Sequence, residues 1–596
     1  MVKKSITIFL GPSLIDFQSE RKTIELFIRR MSALLKDRCR IEFELLICDA
    51  SDDAVYLSRK QDGYNEQLRS SDLSLFIFFT RTGQFAVEGS EKAIGAFRKC
   101  GKPKVYISFK ETTGEEGFNQ STLEFRKLLE KKYEYYSDRF SDIETVKLRI
   151  LQALKILSGD HINLIVTSGK IWIEGIEIGE DDLSLNKVDE FFNHAPLQSL
   201  KMKLEKINLK YYAEKAKYTV GKLDVQAEEM YEQLAVDRQS LIDEINELEK
   251  LIFEVTLSMS RGILSGDVTV RQSKAYSLFE RGDCYGCLRI LDPKEIDDDY
   301  EKRKQGEEEE IKTLSSRYIR EYRTRIDILG TMVGYIACFD DITDCYEKIT
   351  KVALRESIEF DAVYEYAVYL LKHNKVQKSI QIAEKLEKTY DLENPLQKDR
   401  ATLFDLLGTL YCKQGLADKA EKSYLKSREI REYLAKNGHG FYEGDLALSC
   451  KNLGTHYYKQ TQFEESIRCF LQAMEIRERL SQLNPDLHEE DLATIYGNLG
   501  VLYDDQGQLE IAEQYYLQSK KIIEQLFRQN PDRFGEDLAA TCDILGLFYD
   551  DQGQFNKAKA CHLQSKEIYE RLYQANPKKY EAYLGITNFL LSKFEN

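Results

Sequence analysis

The sequence predicts a multidomain chain: a parallel α/β sheet at the N-terminus, then mostly α structure, closing in an α-solenoid of repeated helical hairpins. Three observations predict it. Apolar β-type runs alternate with charged helical segments over residues 1–158. Glycine recurs every 46 residues near the C-terminus. Proline, which breaks helices, is scarce, with 8 in 596 residues.

A chain of this length exceeds one hydrophobic core, and three or four domains are expected. A hydrophobic content of 42% supplies packed interiors, and a charged fraction of 31% suits long exposed helices. The net charge of −16 excludes a chain-wide nucleic-acid or anionic-membrane footprint. Met1-Val2-Lys3-Lys4 runs into a short β-type stretch and then Gly11-Pro12, which does not read as a secretory signal. No apolar stretch approaches the roughly 20 residues needed to cross a bilayer. The 12 cysteines are scattered, as thiols of a reducing cytosol would be, so a cytoplasmic location is expected.

Within residues 1–158, strands are expected at Ser5–Leu10, Ile41–Asp49, Leu73–Phe79 and Lys104–Phe109, with a weaker fifth near Tyr133–Tyr136. Helices are expected at Leu14–Lys36, Asn65–Ser70, Glu88–Lys99, Ser121–Lys132 and Ile143–Leu157. The first helix places Phe17, Ile24, Phe27, Ile28, Met31 and Leu35 at a helical period. Ser13-x-x-Asp16 reads as an approximate capping box opening it. Strands apolar throughout, each followed by a helix, imply a parallel sheet covered on both faces. Five of them suggest a flavodoxin-like wind.

Residues 159–180 read as a β-hairpin, with Ser168-Gly169 at the turn and the only tryptophan, Trp172, on its second strand. Residues 181–291 read as helical. Leu234, Leu241, Ile245, Leu248 and Ile252 give a coiled-coil-like stripe or a bundle helix. Residues 292–313 are charge-rich, either a mobile linker or a solvated helix. Residues 314–398 are helical with a degenerate repeat at Ala362–Tyr390; Ala275–Leu291 looks like another.

Residues 399–596 carry the repeat. Gly408, Gly454, Gly500 and Gly546 are 46 residues apart. Three positions after each stand Tyr411, Tyr457, Tyr503 and Tyr549. Twelve after stand Ala420, Ser466, Ala512 and Ala558; sixteen after stand Tyr424, Phe470, Tyr516 and His562. Asn484-Pro485, Asn530-Pro531 and Asn576-Pro577 close successive units, because the residue before proline leaves the helical region. A glycine within a helix costs about 1 kcal/mol relative to alanine. Four in register imply that a neighbouring helix comes too close for a side chain, with backbones nesting. The order glycine, aromatic, small, aromatic resembles the tetratricopeptide repeat, usually about 34 residues long, in its long-helix form as in kinesin light chains. The resemblance implies a protein or peptide partner on the solenoid. Asn452 and Asn498, two before the glycine, are candidates for partner binding or for helix–helix hydrogen bonds. The twin Tyr-Asp-Asp-Gln-Gly-Gln segments read as turns between helices.

In an open parallel sheet, ligands sit beyond the carboxyl ends of the strands. Gly11-Pro12-Ser13, Cys48–Asp53 and Thr80–Glu91 fall there. A helix N-terminus after Gly11 could hold a phosphate, although the glycine signature is incomplete. Ile6–Ser13, Asn65–Asp72, Phe76–Phe79, Gly83-Gln84-Phe85 and Ala93 through Tyr106 together resemble a diverged bacterial TIR-like domain over about residues 4–130. The resemblance implies hydrolysis or conversion of NAD, taken as a substrate with no bound cofactor. It implies a glutamate at the start of the helix after the third strand. A carboxylate suits that chemistry, holding ribose hydroxyls and stabilising an oxocarbenium-like centre. The matching position here is Gly89, flanked by Glu88 and Glu91. Glu88 ranks first as the catalytic candidate and Glu91 second; the alternative is a pair of solvated first-turn carboxylates. Gly11, Ser13, Asp49, Arg81 and Phe85 are candidate pocket ligands. Ser13 also reads as a helix cap, Phe85 as core and Arg81 as a solvated loop residue.

No metal site is read. Cys284-x-x-Cys287 lacks the second pair that zinc needs and reads as helix packing. The resemblances imply a sensor–effector of bacterial anti-phage or innate immunity type, expected to self-associate, with repeats that recognise a trigger and a domain that consumes NAD. A non-catalytic adaptor that binds proteins through its repeats is the alternative.

Overall fold

The computed structural model describes residues 4–11, 18–39, 41–47, 67–78, 84–110, 120–132, 138–140, 142–159, 162–167, 170–178, 194–219, 225–265, 268–305, 311–332, 338–390, 397–437, 442–483, 485–529, 531–575 and 577–594. The chain divides into two units, residues 1–206 with 241–345 and residues 207–240 with 346–596.

The first unit opens with five parallel strands: β1 (Lys4–Leu10), β2 (Ile41–Ile47), β3 (Leu73–Phe78), β4 (Lys104–Lys110) and β5 (Asp138–Phe140). Their order is β2-β1-β3-β4-β5. Every residue of β3 is buried, as a central strand covered on both faces must be. Phe78 and Phe109 stack at 5.1 Å under Phe125 and Leu129 of the helix Gln120–Lys132. Ile24, Phe27, Ile28, Met31 and Leu35 of the helix Gln18–Cys39 are buried, following the predicted period. Asp72 stitches the amino-terminal edge, accepting from the Thr7 amide at 2.9 Å and pairing with Lys102 at 2.6 Å. The expected fifth strand at Tyr133–Tyr136 lies outside the described residues; the fifth strand described is β5, Asp138–Phe140. The capping box at Ser13–Asp16 is also outside them.

The hairpin is one strand richer than expected: β6 (Leu164–Thr167), β7 (Lys170–Ile173) and β8 (Ile176–Glu177) form an antiparallel sheet. Glu174-Gly175 makes the second turn, both at positive φ. The 41-residue helix Val225–Ser265 carries the predicted stripe, with Ile245 and Ile252 buried. The charge-rich segment 292–313 is a helix over Pro293–Gln305 that buries Ile296 and Tyr300. Of the two readings, the helix holds, and its inner face is packed rather than solvated.

Buried polar groups join elements in this unit. Arg149, on the helix Ile143–Ser158, bonds Gln152 and Ser260 and pairs with Glu280. Gln152 reaches Thr256 at 3.0 Å. No helix among the described residues is long and apolar enough to cross a membrane.

In the second unit the repeats are antiparallel helix pairs. Helices A are Gln397–Lys413, Glu443–Lys459, Pro485–Asp505, Pro531–Asp551 and Pro577–Ser592; helices B are Ala417–Asn437, Phe463–Leu483, Leu509–Gln529 and Phe555–Ala575. Proline stands at the first position of the last three A helices, where its missing N–H costs nothing. One residue therefore separates each of these from the preceding B helix. Of the twin segments expected to be turns, Tyr503–Asp505 and Tyr549–Asp551 still belong to their helices, and only Gln-Gly-Gln turns, with Gly507 and Gly553 at positive φ.

Candidate functional site

The repeat core begins with the four glycines, all buried. A β-carbon on Gly408 would meet the Tyr424 ring at 2.6 Å. On Gly454 it would meet Phe470 at 3.1 Å, on Gly500 Tyr516 at 2.6 Å, and on Gly546 His562 at 2.5 Å. The close approach is thus ring to backbone within one hairpin, not the backbone-to-backbone nesting expected. The residue twelve on sits at the same contact: Ser466 donates to the Gly454 carbonyl at 2.8 Å.

That twelve-residue bond identifies the degenerate units. Ser379 donates to the Ala367 carbonyl at 2.6 Å, and the Cys287 thiol donates to the Ala275 carbonyl at 3.1 Å. The position sixteen on is Ala383 or Leu291 there, without an aromatic ring, and alanine replaces glycine. Cys287 is therefore a packing residue, as expected, and burial pushes the Cys284 thiol up to about 11.

The +3 tyrosines tie each hairpin to the one before. Tyr411 donates to Glu384 at 2.8 Å, Tyr457 to Glu421 at 2.9 Å and Tyr549 to Glu513 at 2.7 Å. Tyr503 meets Ile467 at the equivalent acceptor position and stacks on Tyr515 at 5.6 Å instead.

The A helices leave one stripe of side chains outward. In Pro485–Asp505 it runs through Glu490, Thr494, Asn498, Val501 and Asp505. In Pro531–Asp551 it repeats 46 residues on, with Ile544 (44% exposed), Leu547 (41% exposed) and Asp551. The candidate Asn498 lies on this stripe, half-buried. Asn452 occupies the same position one unit earlier, half-buried. Asp405 pairs with buried Arg431 at 2.8 Å. Burial raises its carboxyl above the usual range against that pairing.

At the sheet, Gly11 follows β1 and its amide donates to Leu75 at 2.9 Å. A β-carbon there would strike the Phe76 ring at 2.6 Å, so packing requires this glycine whatever it binds. Glu88 and Glu91 lie half-exposed on the helix Gln84–Cys100, beside buried Gly89 and Ser90. That helix starts at Gln84, four residues before the expected Glu88, so neither carboxylate is in its first turn. The first-turn dipole reading therefore fails. Ser13, Asp49 and Arg81 lie outside the described residues. Phe85 is in the helix's first turn.

Sequence reasoning missed a cleft of about 440 Å³ in the first unit, lined in part by Arg271, Tyr300, Arg317, Tyr318 and Glu321. Arg271 pairs with Glu321 at 2.7 Å and with Asp299. The residues come from three helices with no common spacing, so no local pattern signals it.

Comparison with known proteins bears on the repeats. Residues 445–525 and 538–577 match family models described as tetratricopeptide repeat, and these segments are tetratricopeptide repeats. No curated protein matches the chain. Solved structures similar to it include BtubC (BKLC) from P. vanneervenii, 22% identical, covering 43% of this chain and 92% of that one at a TM-score of 0.32. A kinesin light chain with nearly identical TPR-like repeats from Podosopora anserina is 19% identical over 36% of this chain and 96% of its own, TM-score 0.29. A Rap protein complexed with competence and sporulation factor is 14% identical over 56% and 80%, TM-score 0.31.

Proposed function

We propose that the chain is a protein-docking scaffold whose repeats hold a partner for an N-terminal effector domain. The observation that carries this is the outward stripe on helices Pro485–Asp505 and Pro531–Asp551. The hairpin interior is filled by glycine–ring contacts, while Ile544 and Leu547 remain exposed on a rigid, repeated surface. Exposed aliphatic side chains on such a surface suit a partner protein. A photo-crosslinking residue at Ile544 tests this, with one at exposed Leu128 as control. The expected result is a protein adduct from Ile544 alone; equal labelling at both positions sinks the reading.

For the effector we carry a second reading: a flavodoxin-like, TIR-like domain over residues 1–158 that hydrolyses or converts NAD, as in an immune sensor. The parallel order β2-β1-β3-β4-β5 supports the wind. The reading is supported by chain position: Gly11 follows β1, Glu88 and Glu91 are on the helix after β3, and open parallel sheets take ligands beyond the carboxyl ends of their strands. Purified protein, forced to cluster, is incubated with NAD beside Glu88→Ala and Glu91→Ala. Nicotinamide release abolished by Glu88→Ala is expected; no release from the parent chain leaves the adaptor.

A further inference from the structure

Helices Pro485–Asp505 and Pro531–Asp551 together carry twelve Asp and Glu against one arginine, a net −11, where the whole chain is −16. Helix Phe555–Ala575, packed against the second of them, has more Lys and Arg than Asp and Glu. The acidity is therefore local to two neighbouring A helices.

It is also ordered along them. The outward stripe has aliphatic side chains at its centre, exposed Ile544 and Leu547 beside half-buried Val501, and carboxylates at both ends. Glu490 and Asp537 mark one rim, Asp505 and Asp551 the other. Asp505 stands fifteen helical steps beyond Glu490, about 22 Å at 1.5 Å each.

The second rim is placed against its own electrostatics. Asp504-Asp505 and Asp550-Asp551 end their helices, where the macrodipole is already negative. Burial, then Asp505 and Asp551, raises the Asp504 carboxyl above its usual range. Burial, then Glu490 and Glu536, does the same to Asp537 at the first rim. Intramolecular cations offset part of this: Arg533 pairs with Glu490, and Lys593 reaches Asp550 at 3.4 Å.

We propose that this stripe seats a basic amphipathic helix of a partner protein, its aliphatic side on Val501, Ile544 and Leu547 and its lysines or arginines on the two acidic rims. The inference rests on the docking reading above and names the chemistry of what docks. A helix is about 10–12 Å across, which leaves about 5 Å on each side of a 22 Å span, the reach of a lysine or arginine stem. An extended strand between the rims would touch neither. An acidic partner would add like charge to carboxyls already crowded.

The test measures binding of the full chain to three fluorescent peptides of ~18 residues, helical with one leucine face. Their polar face is lysine, glutamate or glutamine. The lysine peptide is expected to bind at least about tenfold tighter than the glutamine one at ~0.05 M salt, an advantage lost at ~0.5 M. Asp505→Asn with Asp551→Asn, and separately Ile544→Ser, should each weaken it at least about threefold, with unchanged melting temperature; Glu124→Gln on the first unit should not. Equal or tighter binding of the glutamine or glutamate peptide, sensitive to Ile544→Ser, overturns the basic chemistry and leaves docking intact. Lysine-peptide binding that ignores both stripe variants overturns the site. If no peptide binds, the proposal fails, and the crosslinking at Ile544 then decides the docking reading separately.

Discussion

Each array glycine is matched to the side chain sixteen residues later, and the match explains both the glycines and their absences. Where that side chain is a ring, a β-carbon would overlap it, at 2.6 Å for Gly500 and Tyr516. Where it is Leu291 or Ala383, the glycine site holds Ala275 or Ala367, which are fully buried. Gly500→Ala should therefore lower stability by about 1–3 kcal/mol despite alanine's better helix propensity, as overpacking does. In a Tyr516→Ala background the same change should be neutral or stabilising; urea melts of the four variants give the coupling. The 46-residue register was legible because small residues break a helical pattern visibly. Their actual neighbour was not, since spacing alone cannot tell a ring from a backbone. A second residue-scale feature was invisible to spacing. Thr461 occupies the turn position of Gly415, Gly507 and Gly553 and shares their positive φ, at 59°. A β-branched residue pays for that conformation. Thr461→Gly should gain roughly 0.5–1 kcal/mol, read as a higher melting temperature.

Among elements, hairpins and strands were readable wherever one face is apolar. β1, β3 and β4 begin within a residue of expectation, and the repeat helices follow their aromatics. The helix Pro293–Gln305 was harder, because only Ile296 and Tyr300 enter the core and ten charged or amide side chains hide them. β8 has two residues, too few to carry a period. Element packing also sets a pH response. His194 precedes the helix Ala195–Thr219, buried against Phe279 at 4.4 Å with Nδ1 3.5 Å from the Cys284 sulfur. Burial lowers its imidazole from 6.5 to about 4. The unfolded chain then binds a proton that the folded chain refuses. Stability is unaffected above about pH 6.5 and falls as pH drops from there toward 4, by up to about 1.4 kcal/mol per pH unit. Chemical denaturation of the parent chain and His194→Gln should show the slope reduced in the variant across that window.

At the scale of the molecule, sequence reading separated a sheet-bearing N-terminal part from a repeat-bearing C-terminal part. The candidate site was less legible. Asn498 does lie on the outward stripe, and Asn452 holds the same position one unit earlier, but the spacing that marks both does not mark the aliphatic and acidic residues around them. Exposure is a property of the assembled array, and a sequence period marks its interior and exterior positions alike. At the sheet, Glu88 and Glu91 kept their place on the helix after β3, but that helix begins four residues earlier than its sequence suggests. The start was missed because Gln84-Phe85 carries no capping residue of the usual kind.

The one-residue links before Pro485, Pro531 and Pro577 leave the array no slack. Adding or removing a single residue inside a helix turns everything beyond it by about 100°, carrying each downstream ring off its glycine. The array can change length only in whole steps of its period. Excising residues 485–530 as one block should leave a shorter, cooperatively melting protein. Excising 486–530, one residue fewer, should broaden the thermal transition and expose hydrophobic surface to dye. A solenoid joined this tightly tolerates the gain or loss of complete units only, since its frame is set by mechanical register.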